Sequence, residues 1–386
     1  MATDITTDRL RELAETRSAQ GKVLSVFINL DPREFATPRA RATEISSVLD
    51  AAARTIREVD DLTPDERSAL QQDLERVDGA LRGGVDTKEA RALAIFACQP
   101  AGLFEILKLP RPVEHKVEIG DTPCVEPLAR IGTGELWWFV LVDRKHARLL
   151  AGTVDGLVEL WRHEDDALAR VDSDRQDQDG RSERRYERSV EHEVDNHLRG
   201  VATELARRLR DVRVAGILLG GTKETTSHFE SFLHADVARC VKGHFDVDVK
   251  GSGADAVLTA ARPVLDELVA RRDEELLAKI DEGLGKGGRA VAGLGDVLLA
   301  AHERRLDTLV LQEGFTAKGT RCPQCGWMGV SAGGQCPADG TMTDMEDNVV
   351  ETLVGSALGQ DARVRYLAAD DPRVAAKGGV AALLRF

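Results

Sequence analysis

The sequence has no long apolar run. Its longest apolar segment, LWWFVLV at residues 136–142, is far shorter than the ~20 residues needed to cross a bilayer, so we interpret it as a buried strand. The N-terminus, MATDITTDRLRELAE, has acidic residues where a secretion signal carries a basic and then an apolar stretch. We therefore expect a cytoplasmic protein with no membrane partner.

Positive charge is also scarce. The chain has 52 lysines and arginines against 66 aspartates and glutamates, which gives a net charge of -14. An acidic chain repels phosphate, so this balance argues against nonspecific coating of nucleic acid and against DNA as a partner. It still leaves room for a local basic patch that docks on RNA.

Length and hydrophobic patterning predict an α/β protein of three domains. A chain of 386 residues is too long for one ordinary core. Buried-strand runs such as KVLSVFINLDP (22–32) and ALAIFAC (92–98) alternate with helical segments, which is typical of mixed sheets with helices packed on them. We place an N-terminal domain at 1–131, a middle domain at 132–254, and a linker helix with the C-terminal domain at 255–386.

The middle domain is predicted to contain a strand meander followed by a long helix. The segments ELWWFVLVDR, HARLLAG and GLVELWRH have meander spacing. The helix is predicted from about Ser182 to Arg210, because its apolar residues recur at helical spacing and form one seam. These seam residues are Val190, Val194, Leu198, Val201, Leu205 and Leu209. His192 and His197 are five residues apart, not the four of a helical zinc pair, and we interpret both as solvent-exposed.

Two glycine-rich segments resemble phosphate loops only superficially. GLGKGG at 283–288 follows a helix and has no Ser or Thr after its lysine, so we interpret it as a hinge before a helix predicted at 288–304. ILLGGTKETT at 217–226 lies at a strand end before a helix, where backbone amides can hold a phosphate. A plain strand-to-helix turn is the favoured interpretation.

A cysteine-rich segment in the C-terminal domain repeats one five-residue pattern. It reads Cys-Pro-x-Cys-Gly at 322–326 and Cys-Pro-x-Asp-Gly at 336–340. In a zinc knuckle, two thiolates two residues apart bind one ion, and two knuckles complete a tetrahedron. A carboxylate can replace the fourth thiolate, so one structural zinc per chain is predicted. Its ligands are Cys322, Cys325, Cys336 and Asp339.

Two other interpretations of this insert stay open. The knuckles can fold without a metal, or the Cys-x-x-Cys pair can be redox-active. The redox interpretation is disfavoured, because a thioredoxin-type motif belongs at a helix start and these cysteines lie among turn residues.

Four arginines form a stripe along one edge of the predicted long helix. They are Arg181, Arg184, Arg185 and Arg188. Their spacing of i, i+3, i+4 and i+7 places them ~190° around the helix from Val190, so they point away from the seam. Surface ion pairs with Glu183, Glu187 and Glu191 explain the stripe without any ligand. Contact with RNA phosphates is the other interpretation.

The segment DGRSERRYERSVEHEVDNHLRGVATEL, the three-domain pattern and the paired knuckles together resemble one family. It is the bacterial branch of the archaeo-eukaryotic class I release factors and Pelota, a branch that includes a ribosome-hibernation factor. Release factors carry Gly-Gly-Gln-Ser-x-x-Arg-Phe in the corresponding loop. The positions that match are Gly180, Ser182, Arg185 and, as an aromatic, Tyr186. Asp179 and Arg181 replace the first glycine and the glutamine.

The resemblance implies a protein that is similar in shape to transfer RNA and occupies the ribosomal A site. The family's glutamine positions water for peptidyl-tRNA hydrolysis, whereas Arg181 is permanently charged and has no acceptor. The codon-reading motif also has no counterpart, because only the short turn VDDLTP lies at its place. The implied partners are ribosomal RNA, transfer RNA and an elongation-factor GTPase. The implied RNA-binding residues are Gly180, Arg181, Ser182, Arg184, Arg185 and Arg188.

Three functions follow from these features. We expect a non-catalytic factor that binds idle or stalled ribosomes in hibernation or rescue. The alternative enzyme is a peptidyl-tRNA hydrolase with a remodelled loop that uses Gln176 or Gln178. The third function is that of a stress-related interaction protein that no longer binds the ribosome. The acidic residues near the arginine stripe favour this third function, because they weaken phosphate binding.

Overall fold

The computed structural model describes most of the chain in two compact units. The residues that it does not describe are 1–6, 17–20, 32, 61, 84–89, 110, 133–134, 155, 166–182, 211, 286–287 and 331–332. One unit, here the middle unit, is Gly134–Arg272, and the other joins Thr3–Thr133 to Asp273–Phe386. The mixed α/β class is confirmed, and the boundaries of three domains stay a prediction. None of the helices in the described ranges is long and apolar enough to cross a membrane.

The N-terminal part of the joined unit is a four-stranded antiparallel sheet with the order β3-β2-β1-β4. Its elements are α1 (Thr7–Glu15), β1 (Val23–Asn29), α2 (Pro38–Glu58), α3 (Pro64–Arg82), β2 (Ala92–Cys98), β3 (Leu103–Leu109), β4 (Lys116–Gly120) and α4 (Glu126–Gly132). Strands β1 and β2 are buried at every residue, as the mainly apolar sequence of β1 and the unbroken apolar run of β2 predict. A capping box of Thr63 and Glu66, followed by Pro64 in the first turn, fixes the start of α3.

The middle unit is a five-stranded sheet covered on both faces by helices. Its elements are β5 (Trp137–Val142), β6 (His146–Thr153), β7 (Gly156–Glu164), α5 (Glu183–Leu209), β8 (Gly216–Gly220), α6 (Lys223–Glu230), α7 (Ala235–Cys240), β9 (Val241–Phe245) and the first part of α8 (Ala254–Gly285). The order is β7-β6-β5-β8-β9, with an antiparallel meander on one side and parallel pairs on the other. Helices α5, α6 and α7 pack on the Trp138 face, and α8 packs on the Trp137 face.

The ILLGGTKETT segment forms a strand-to-helix turn, as favoured above. Gly221 has φ of 137°, and a Cβ there would lie 2.4 Å from the carbonyl oxygen of Val142. Only glycine therefore fits this position without strain. Thr222 follows as the N-cap of α6, and its hydroxyl accepts a hydrogen bond from the Thr225 amide.

The C-terminal part of the joined unit contains two sheets. Its elements are β10 (Ala290–Ala292), α9 (Leu294–His302), β11 (Leu306–Gln312), β12 (Gly319–Arg321), β13 (Met328–Gly329), β14 (Asp344–Glu346), α10 (Val349–Leu358), β15 (Arg363–Leu367), α11 (Pro372–Ala375) and β16 (Val380–Leu384). The larger sheet has the order β10-β16-β11-β15, and the small sheet β13-β12-β14 carries the cysteine insert. The helix predicted at 288–304 was wrong at its start: a short strand occupies 290–292, and Gly293, with φ of 83°, separates it from α9.

The N-terminal and C-terminal parts of this joined unit share one hydrophobic core. Leu10 and Leu13 of α1 and the edge-to-face pair Phe27 and Phe96 belong to the same buried cluster as Leu353 of α10. An ion pair of 2.5 Å between Lys116 and Glu351 also joins β4 to α10. The opposite face of the N-terminal sheet is covered by α2 and α3. The two ends of the chain therefore stabilise each other.

Replacing Leu353 with alanine should lower the free energy of unfolding of the joined unit by about 2–5 kcal/mol, the usual cost of such a cavity. Because the core is shared, amide hydrogen exchange should become faster in β1 and β2 as well as in β11. Leu299→Ala is the matched control: this α9 leucine is 50% exposed, so its loss should change stability by less than about 0.5 kcal/mol. Faster exchange confined to β11 would contradict a shared core.

Candidate functional site

The predicted RNA-binding residues lie at and just before the start of α5. Gly180, Arg181 and Ser182 fall outside the described residues. The other predicted residues, Arg184, Arg185 and Arg188, belong to the first turns of α5, where the backbone alone is described. The helix is continuous through these turns, so the three arginines keep the spacing that defines the stripe. Their contact with RNA stays a prediction.

The apolar seam of α5 anchors this helix to the sheet. Val194, Leu198, Val201 and Leu205 are buried against β5 and β6, and Val190 packs at the edge of the same cluster. The predicted seam is therefore confirmed at these positions. Residues 183–189 extend the helix by ~10 Å before the first seam residue. A firmly packed helix thus carries the stripe on its N-terminal turns.

The arginines at the other end of α5 are already engaged within the helix. Arg207 and Arg208 donate to the Glu204 carboxylate at 2.7 and 2.6 Å. The hydrogen bonds from these guanidinium groups lower the pKa of Glu204 to about 2. Arg199 pairs with Asp195 one turn earlier, at 3.2 Å. This end of the helix therefore has the i, i+3 and i, i+4 ion pairs that sequence reasoning had considered for the stripe.

The two histidines of α5 differ in burial. His192 is exposed, as predicted. The prediction for His197 was wrong, because this residue is 3% exposed. His197 lies three residues after Val194 and four before Val201, so helical phase places it on the packed face. The sequence signal for the burial of His197 is its spacing from the seam residues, and its distance from His192 does not contain that signal.

An open cleft of about 810 Å³ lies beside α5 at the carboxyl ends of β5 and β8. In α/β sheets this is the end where ligands commonly bind. The charged and polar residues that line it are Asp143, Arg144, Lys145, His146, Glu191, Asp195, Thr222, Glu224, Thr225 and His228. Acidic and basic groups alternate around it, so its charge does not select phosphate. The ILLGGTKETT segment, considered above for phosphate binding, supplies Thr222, Glu224 and Thr225 to its wall.

The two halves of the cysteine insert have the same backbone geometry. The amide of Cys322 donates to the carbonyl of Trp327, and the Gly326 amide donates back to the Cys322 carbonyl. In the second half, Cys336 bonds to Thr341, and Gly340 bonds to Cys336, in the same way. Gly326 and Gly340 have φ of 75° and 77°, the conformation that favours glycine. The repeated sequence pattern therefore forms two equivalent knuckles.

The knuckles bring the four predicted ligands together. Sγ of Cys325 lies 3.5 Å from Sγ of Cys336, and Sγ of Cys322 lies 3.4 Å from Oδ2 of Asp339. One ligand atom from each residue lies within 4.8 Å of all the others. A tetrahedral zinc with Zn–S of ~2.3 Å and Zn–O of ~2.0 Å separates its ligand atoms by ~3.5–3.8 Å. The cluster therefore fits one metal ion of this size.

Hydrogen bonding favours the anionic form of two of these ligands. The Thr341 amide donates to Oδ1 of Asp339 at 2.9 Å and helps to hold the pKa of that carboxyl below its usual range. Burial alone raises the pKa of the Cys322 thiol, but backbone amides, that of Cys325 among them, donate to its sulfur and leave this pKa below the usual value. Both groups are thus prepared to bind a cation.

The Cys325 thiol behaves in the opposite way. The Trp327 amide favours its thiolate, but desolvation and hydrogen bonds with Asp339 and Cys336 raise the pKa of Cys325 to about 12. This thiol therefore keeps its proton at neutral pH. Metal ligation requires that proton to leave, so binding is coupled to pH.

Comparison with known proteins places the chain close to the archaeo-eukaryotic release factors. Peptide chain release factor subunit 1 of Archaeoglobus fulgidus is 28% identical over 308 residues, which is 74% of each chain. A crystal structure of an archaeal translation termination factor matches 99% of both chains at 16% identity, with a TM-score of 0.27. A model of ribosome-bound archaeal Pelota matches 100% of this chain and 95% of its own at 13% identity, with a TM-score of 0.39.

Residues 123–265 match the family model of bacterial archaeo-eukaryotic release factor family 10. The matched range contains β5 to β9, α5 and the segment that carries the stripe. The resemblance inferred from the sequence, to the bacterial branch of these release factors, is thereby confirmed.

Proposed function

We propose that the protein is a translation factor that occupies the A site of idle or stalled ribosomes, in hibernation or rescue, without hydrolysing peptidyl-tRNA. The observation that carries this proposal is the arginine stripe at the start of α5. It lies inside the range that matches the release-factor family model. The relative from Archaeoglobus fulgidus, similar over most of the chain, is a peptide chain release factor subunit. Ribosomal RNA is the proposed partner, with transfer RNA as a further one.

The position of the stripe on the helix supports an anionic partner. Positively charged side chains stabilise the last turn of a helix and destabilise its first turn. Arginines in the first turns of α5 therefore do not help this helix to fold. Phosphate groups reverse this effect, because unpaired amides at a helix start and guanidinium groups both bind them. The packed seam anchors the helix whose first turns carry the stripe, and a preformed helix reduces the entropy lost on binding.

The absence of hydrolysis is proposed from the residue at position 181. Release factors place a glutamine there, whose amide both donates and accepts hydrogen bonds. Arg181 donates only and keeps its charge, so it cannot accept a hydrogen bond from an attacking water. It is suited to hold a phosphate instead.

We propose zinc as the ion of the cysteine insert, where it stabilises the small sheet. This sheet has three short strands, and Cys322, Cys336 and Met328 are among its few buried side chains. So small a core gains much of its stability from a metal. Three sulfur ligands and one oxygen ligand suit zinc. Four protein ligands leave no open coordination position for a substrate or water, so the site is structural.

The same insert presents a surface for a protein partner, and we propose an elongation-factor GTPase as that partner. Val330, Met342 and Met345 are 58%, 64% and 57% exposed, although all three are large and apolar. Large exposed apolar groups on one small insert mark a candidate protein-binding surface. Met345 belongs to β14 and Met342 lies just before it, so both depend on the folded knuckles.

Replacing the four stripe arginines, Arg181, Arg184, Arg185 and Arg188, with glutamate should abolish co-sedimentation with 70S ribosomes. Wild-type binding should be stronger in ribosomes from starved cells, and salt should weaken it. With about four phosphate contacts, the affinity should fall roughly 100-fold between about 50 and about 200 mM salt. The measurement is the bound fraction at several salt concentrations.

The matched control reverses four exposed helical arginines elsewhere: Arg54, Arg57, Arg262 and Arg271. It changes the net charge by the same amount and should bind ribosomes as the wild type does. Equal loss in both variants would show a general charge effect. Binding that survives reversal of the stripe would contradict the proposal, and absence of binding by the wild type would favour the interaction protein that has lost the ribosome.

Wild-type protein should release no labelled peptide from stalled ribosomes above background. The double variant Asp179→Gly with Arg181→Gln rebuilds Gly-Gly-Gln-Ser at residues 179–182 and should gain release, because it restores a side chain that can orient water. Release by the wild type would instead identify the hydrolase, and Gln176→Ala and Gln178→Ala would then test its proposed residues. A double variant that binds ribosomes without releasing peptide would show that Arg181 is not what prevents hydrolysis.

Protein purified without chelator should carry about one zinc at the insert. After exchange for cobalt, a thiolate-to-cobalt charge-transfer band should appear, and Cys336→Ser should weaken it clearly because only two of the three thiolates remain. Cys240→Ser, outside the insert, is the control and should keep the band. Protein that shows neither zinc nor this band would support knuckles that fold without metal.

A further inference from the structure

A second cluster of metal-binding side chains lies in the middle unit, away from the cysteine insert. His163 is close to the end of β7, and Asp165 follows that strand. Because side chains alternate along an extended chain, Trp161, His163 and Asp165 share one face. Trp161 packs against the core that α5 also contacts, so this face is turned toward the helix. His197 of α5 lies against this face and completes the cluster.

The three side chains are close enough to hold one ion. Nδ1 of His197 lies 3.7 Å from Oδ2 of Asp165. The imidazole rings of His163 and His197 stack with centroids 5.5 Å apart and planes at 15°. One ligand atom from each of the three residues lies within 4.8 Å of the other two.

His197 supplies an independent sign that a ligand belongs here. Its side chain is fully buried, and among the described residues neither ring nitrogen makes a well-formed hydrogen bond; the His146 backbone and the Asp165 carboxylate are its polar neighbours. A buried polar group without a partner typically destabilises a fold, so such groups are rare in native proteins. Burial lowers the pKa of His197 and keeps the ring neutral, which is the form that binds metals. A structural core histidine would instead be expected to have a satisfied ring nitrogen.

The neighbouring titratable side chains are engaged elsewhere. Asp143 accepts from the His146 ring at 3.0 Å, and Glu164 pairs with His146 and Lys250 at 3.3 and 3.4 Å. Glu164 also lies on the opposite face of the strand from His163, because it is the next residue. These groups therefore do not compete for an ion at the cluster.

We propose that His163, Asp165 and His197 bind a divalent transition-metal ion, in addition to the ion of the cysteine insert. Two imidazole nitrogens and one carboxylate oxygen are ligands that zinc, iron and manganese accept. Three protein ligands leave at least one coordination position for water or an external ligand. The ion would link the end of β7 to α5 and would bind the buried His197 ring, which makes no well-formed hydrogen bond with the described residues. This inference does not depend on the proposed ribosomal function.

The test is a zinc titration of the full-length protein, followed by calorimetry and by the cobalt spectrum. Wild-type protein should bind one equivalent beyond that of the cysteine insert. His163→Ala and Asp165→Asn, both changes outside the buried core, should lose this further equivalent and keep the thiolate-to-cobalt band. His197→Ala should lose it as well, together with any rise in Tm that zinc gives the middle unit.

His192→Ala is the matched control, since it removes an exposed histidine from the same helix. It should bind zinc as the wild type does. Should the wild type bind no equivalent beyond that of the insert, the proposal would be overturned. Unchanged stoichiometry in both His163→Ala and Asp165→Asn would overturn it equally, because neither side chain would then be a ligand.

Discussion

The seam of α5 on the sheet of the middle unit is the contact on which the candidate sites of that unit depend. Leu198, Val201 and Leu205 are almost completely buried there, and their spacing fixes the rotation of the helix about its axis. That rotation decides which residues face the sheet and which face outward. It places His197 under β7, and it orients the helix whose first turns carry the arginine stripe. A change of helical phase would disrupt both features together.

Much of this arrangement follows from patterns that can be counted in the sequence. The buried strands β2 and β5 are unbroken apolar runs, and β1 is mainly apolar. The apolar residues of the α5 seam recur at helical spacing. The knuckles could be predicted because ligand spacing and a following glycine are local properties. Each of these features depends on neighbours in sequence, so no knowledge of the tertiary structure was needed.

The features that sequence reasoning missed depend on contacts between distant segments. Strand β4 is only half-buried along its length, so its apolar pattern is weak, and its pairing with β1 completes the sheet. Strand β10 is three residues long and pairs with β16, some 90 residues later, while Gly293 prevents the helix from starting earlier. The cluster around His197 combines a strand end with a helix that follows 17 undescribed residues. The spacing between the end of β7 and α5 in the sequence does not show that their side chains meet.

The core shared by the two ends of the chain has a consequence for the order of folding during synthesis. The face of the N-terminal sheet under α2 and α3 can close as soon as β4 has left the ribosome, because all its contacts lie within the N-terminal part of the chain. The other face, with Phe27 and Phe96, needs α10 and the strands near the C-terminus. Domains generally fold as they emerge, and exposed apolar surface invites aggregation until it is covered. The middle unit can therefore complete its fold while one face of the earlier N-terminal sheet is still uncovered. That exposed apolar face makes the nascent sheet a natural client for chaperones.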